Sequence, residues 1–136
     1  MNLNENCNFN SIAAQWLDHA KNDFKMAKIA SGQEGLIEQI CFHAQQAVEK
    51  AMKAVLVFHQ IDFPFTHDLE QLLVLLERKQ IVLPGTLQEI GLLTPYAVET
   101  RYPGDWGDIT DEDVQKALDL AEKALSWAEN NIDRSR

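Results

Sequence analysis

Seven apolar residues in a strict alternation of four and three steps run through the middle of this chain: Ile37, Cys41, Ala44, Val48, Ala51, Val55 and Phe58. Only an α-helix gathers residues so spaced onto one face, and the stripe lasts about six turns. Alanines at 44, 47, 51 and 54 keep that helix thin, so neighbouring helices can approach it closely. On the same helix, Glu49 and Lys53 stand four apart in the favourable order, a pair worth roughly 0.2–0.5 kcal/mol on a surface. A chain built around such an element has to supply other helices to cover it.

It does so on both sides. Ala13, Leu17, Ala20, Phe24 and Ala27 mark a first helix, with Ser11 as its expected N-cap and Gly32 and Gly35 ending it. Residues 1–10, rich in asparagine and aperiodic, are expected to be a frayed or disordered lead-in. Thr66 is the expected N-cap of a third helix carrying Leu69, Leu72, Leu73 and Leu76, which stops near Arg78 and Lys79. Pro84 opens a fourth, with Leu87, Ile90, Thr94, Ala97 and Arg101 on one face, Leu93 and Tyr96 beside it, and a kink at Pro95. Thr110 and Asp113 form a capping box before a last stripe of Val114, Leu118, Ala121, Leu125, Ala128 and Ile132. No stretch sustains a period of two. The fold class is all-α: one antiparallel up-and-down bundle of four to five helices over residues 11–132.

Composition narrows the function. A net charge of −9 argues against a broad surface for polyanions, which takes clustered Lys and Arg. There is no signal-like or membrane-spanning apolar run, so a cytoplasmic protein with no membrane partner is expected. Four histidines and two cysteines show no metal-ligand spacing, and no cofactor motif is present. Cys41, on the core stripe, reads as a packed free thiol.

Two constellations could carry chemistry. Arg101 shares its stripe with Leu87, Ile90 and Ala97, so its guanidinium faces the bundle or a partner and needs an acceptor. It either caps its own bundle through Asp105 or Asp108, or faces an anion in a groove. On the second helix His43, Gln46, Lys50 and Lys53 share one polar face. That face is either solvated or a strip that reads a ligand or a neighbouring chain. His19 has Asp23 one turn away, as in a surface pair, and His59 suits a helix C-terminus.

Three stretches, CFHAQQAVEKAMKAVLV (41–57), THDLEQLL (66–73) and YAVETRYPG (96–104), resemble in order and spacing the HEPN family of small helical prokaryotic proteins. The resemblance implies a bundle that pairs as a homodimer and often partners a minimal nucleotidyltransferase. Many members are ribonucleases, often toxins, that use an arginine followed after four to six residues by a histidine. Arg101 matches the arginine, but positions 102–112 hold no histidine, and Asp105 and Trp106 stand where one would fall. The implied function is therefore a non-catalytic dimeric module. It binds a nucleotidyltransferase partner or a nucleotide-like ligand around Arg101, Tyr102 and Asp105, with His43, Gln46, Lys50 and Lys53. Its dimer contact is expected on the second and fourth helices around Arg101. The alternative is an atypical ribonuclease acting on RNA, in which His43 or His67 joins Arg101.

Overall fold

The computed structural model describes the backbone of residues 3–97 and 107–134, and the side chains within 9–97 and 107–132. Among the described residues four α-helices and one 3₁₀ helix follow in order: α1 Leu3–Ser31, α2 Ile37–Phe58, α3 Leu69–Arg78, the 3₁₀ helix Gly85–Ala97 and α4 Asp111–Arg134. Among the described residues there is no strand. Ser11 lies inside α1, which already runs from Leu3 through the asparagine-rich stretch.

The helix with the strict stripe is the centre of the molecule, touching α1, α3, α4 and the 3₁₀ helix. From Ala51 to Leu56 every residue of α2 is buried, as in a helix covered on all sides. Alanines make this possible. Ala13, Ala20 and Ala27 of α1, Ala44, Ala47, Ala51 and Ala54 of α2, and Ala117, Ala121, Ala124 and Ala128 of α4 are all buried. Helix axes lined by methyl groups come close, and the larger Met52, Leu56, Leu69, Leu72 and Leu76 fill the remaining space. The pairing of α1 with α2 is antiparallel: Asp23 meets His43 and Lys50, while Trp16, further from the connecting turn, meets Lys53.

Several ends differ from the sequence expectation for physical reasons. The N-cap of α3 is Asp68, not Thr66. Its carboxylate accepts from the Glu70 amide at 3.0 Å, and Thr66 Oγ1 accepts in turn from the Asp68 amide at 3.0 Å. The segment after Pro84 is a 3₁₀ helix rather than an α-helix. Its buried residues Leu87, Ile90 and Leu93 repeat every three positions, which is the 3₁₀ period. That leaves Leu92 60% exposed. The capping box of α4 is as expected: Asp113 Oδ2 accepts from the Thr110 amide at 3.0 Å, and Thr110 Oγ1 accepts from the Asp113 amide at 3.1 Å. Both α2 and α3 end in a Schellman turn, with Ile61 and Ile81 amides donating back to Leu56 and Leu76 carbonyls. The left-handed residue in each is a glutamine, Gln60 at φ 58° and Gln80 at φ 62°.

Candidate functional site

Two carboxylates organise the polar residues of α2. Asp23, from the buried face of α1, is bonded through Oδ1 to His43 Nδ1 at 2.9 Å, and its Oδ2 accepts from Lys50 Nζ at 2.7 Å. The partner expected for it, His19, is not involved. Asp23 is itself buried, and His43 and Lys50 are mostly so. Burying three ionisable groups is tolerable because each supplies what the others lack.

Glu49 holds the second cluster. Its Oε1 is bonded to His67 Nδ1 at 2.9 Å and accepts from Gln45 Nε2 at 3.2 Å, while Oε2 accepts from Lys53 Nζ at 3.0 Å. Gln45 also donates to the His67 carbonyl, and its own Oε1 accepts from Gln46 at 2.7 Å. The Glu49–Lys53 pair is thus buried, not a surface pair. Lys53 Nζ further lies 5.6 Å from the Trp16 and Phe63 ring centres and 6.0 Å from that of Phe65, within reach of cation–π attraction.

The outer edge of this cluster is open. His67, held at Nδ1, has a half-exposed side chain. Its ring stands edge-on to Phe65 at 5.6 Å, and Phe65 is 93% exposed. A histidine fixed at one nitrogen by a buried carboxylate, beside a bare aromatic face, can hydrogen-bond or exchange a proton at its other nitrogen while a planar group stacks alongside.

Of the residues expected to form a site, the fold gathers His43 with Lys50 around Asp23, and Gln46, Lys53 and His67 around Gln45 and Glu49. Arg101, Tyr102 and Asp105 lie outside the described residues. The sequence reading missed Asp23, Gln45, Trp16, Phe63 and Phe65 as members of these clusters. Asp23 was traceable: it follows Ala20 by three and precedes Ala27 by four, on the buried face.

Cys41 is a buried free thiol, as expected. Burial first, and then the charge of Asp113, push its pKa from 9.0 to about 11, against a lowering hydrogen bond with Tyr96. A thiol so raised is no nucleophile near neutral pH. Among the described residues no three His, Cys, Asp or Glu converge as metal ligands, and no helix is long and apolar enough to cross a membrane.

A central helix jacketed by others, with its polar groups paired inward onto two carboxylates, defines a small all-α bundle domain. The HEPN domain model matches residues 13–131, and the chain belongs to the HEPN family. It is similar to the crystal structure of ST0689, an archaeal HEPN homologue, at 26% identity and TM-score 0.70, over 88% of this chain and 97% of that one. It is similar also to TT1696 from Thermus thermophilus, at 30% identity and TM-score 0.71 over the same shares. Among curated proteins none matches the chain.

Proposed function

We propose that this HEPN protein is a non-catalytic homodimeric module that binds a minimal nucleotidyltransferase partner or a nucleotide-like ligand. The observation that carries the reading is Phe65, almost wholly exposed beside His67 at the rim of the Glu49 cluster. An aromatic ring presented this way offers a stacking face for a base, worth about 1–3 kcal/mol. Lys50 and Lys53 are committed to Asp23 and Glu49, so among the candidate residues the role of holding a phosphate falls to Arg101. Titration of the protein with nucleotides, followed by its tryptophan fluorescence, tests the ligand. Phe65→Ala is expected to weaken binding about tenfold and Arg101→Ala at least as much, and affinity unchanged by both variants rejects the ligand reading. Co-expression with a minimal nucleotidyltransferase, and elution as one complex, tests the partner.

One observation favours a second reading. The contact between Glu49 and His67 Nδ1 has the form of a carboxylate orienting a general base. A ribonuclease using Arg101 with His67 would cleave RNA and lose that activity on His67→Ala. Equal cleavage by the variant and the unaltered protein dismisses it.

A further inference from the structure

A cleft of about 760 Å³ runs between α4 and the turn that leads into the 3₁₀ helix, and it shares no residue with the Asp23 and Glu49 clusters. Its α4 wall is one helical face: Asp119, Glu122, Lys123, Ser126, Trp127 and Asn130 stand at i, i+3, i+4, i+7, i+8 and i+11. The opposite wall is apolar, made by Val82, Pro84 and the buried Leu87. That wall is held in shape: Gln88 Nε2 donates to the Leu83 carbonyl at 3.1 Å, and the Leu87 amide donates to the Pro84 carbonyl at 2.9 Å. Asn131, which also lines the cleft, is bonded through Oδ1 to His59 Nε2 at 2.8 Å, tying the cleft to the end of α2. The volume is that of a site for a small organic molecule.

Three polar groups in the cleft are left unsatisfied by the described residues. The lysines that form ion pairs there are Lys21, Lys50, Lys53 and Lys116; Lys123 and Glu122, both exposed, take part in none. Asp119, one turn before Lys123, is instead bonded to Gln115 at 3.0 Å. The Trp127 ring is partly buried, yet its indole N–H has no acceptor among the described residues, although a buried indole ordinarily finds one. The cleft thus offers a carboxylate to a cation, and an ammonium with an indole N–H one turn further on to an anion, beside an apolar wall. A molecule with one sign of charge answers only half of that pattern, and a phosphate would face two carboxylates and a single lysine. A molecule with both signs answers all of it.

We propose that this cleft binds a small zwitterion with an apolar body, an α-amino acid or a dipeptide. Its ammonium sits on Glu122, its carboxylate on Lys123 and the Trp127 N–H, and its side chain against Val82, Pro84 and Leu87. The proposal needs neither Arg101 nor the Phe65 rim. Calorimetric titration of the full chain with phenylalanine and with leucyl-phenylalanine tests it, at about pH 6, where an α-amino group is protonated. Saturable binding of at least one is expected. Its N-acetyl form and its C-terminal amide should each bind about tenfold more weakly, for want of one charge-assisted contact. Glu122→Gln is expected to erase the preference for the free amine and keep that for the free carboxylate, and Lys123→Gln to do the reverse. Both side chains are exposed, so neither change threatens the fold, and circular dichroism checks this. Binding of neither zwitterion, or equal binding of the free and capped forms, overturns the proposal, as do variants that retain both preferences.

Discussion

Asp23 and Lys50 meet at 2.7 Å although they lie 27 positions apart and on different helices. With His43 on its other oxygen, Asp23 pins the middle of α1 to the central helix. Asp23→Asn leaves a mostly buried lysine short of its counter-charge and takes a carboxylate partner from His43. It is expected to destabilise the fold by about 2–3 kcal/mol, towards the low end for a buried pair because the Lys50 ammonium keeps some solvent. His19→Ala, one turn from Asp23 on the exposed side, is expected to change stability by less than about 0.5 kcal/mol. Urea unfolding of the two variants separates them; equal losses contradict the assignment.

Glu49 and Lys53 are expected to be strongly coupled. Lys53→Met leaves Glu49 buried with two neutral-capable donors, and Glu49→Met leaves an ammonium among aromatic rings. Each single change is expected to cost about 2–4 kcal/mol, and the double change distinctly less than their sum. The cycle should give a coupling above about 1 kcal/mol. An exposed i,i+4 pair would give only about 0.2–0.5 kcal/mol, and that smaller value would return the pair to the surface.

The Schellman turn after α3 holds Gln80 in the left-handed region, where a side chain meets its own backbone and glycine does not. Gln80→Gly is expected to raise stability by about 0.5–1 kcal/mol, once the greater freedom of glycine in the unfolded chain is set against the relieved strain. Thermal melts read this directly. A lower melting temperature refutes it.

Cys41 makes stability fall at alkaline pH. Below pH 9 the thiol keeps its proton in both folded and unfolded chains. Between about 9 and 11 the unfolded thiol ionises while the folded one, raised by burial, does not. Unfolding then releases a proton, so stability declines as pH rises through that window. Tyr96, raised chiefly by its own burial, acts in the same direction. Cys41→Ser in urea titrations at pH 8 and pH 10.5 should show a smaller decline than the unaltered chain. At pH 8 a thiol reagent should label Cys41 only after denaturant is added.

The bundle was legible from periodicity because burial imposes a period of 3.6 wherever a helix has one covered face. The stripes of α2 and α4 and the Thr110–Asp113 box follow from residues close in sequence, and so they were readable there. The segment after Pro84 was misread because Leu87 and Ile90 fit an α-helix as well as a 3₁₀ helix. Only Leu93, buried where Leu92 is not, distinguishes them.

Local spacing by itself determined that the chain would make amphipathic helices, that the second would be thin enough for close neighbours, and that Thr110 and Asp113 would cap the last. Which carboxylate each cation meets was decided only by the tertiary structure. Lys50 could have reached water, and Lys53 could have paired with Glu49 in the open. The crossing of α1 over α2, and the return of the loop bearing Phe65 and His67, removed that water. An ion pair's worth depends on how much solvent surrounds it, and the chain neighbours of a residue do not specify that.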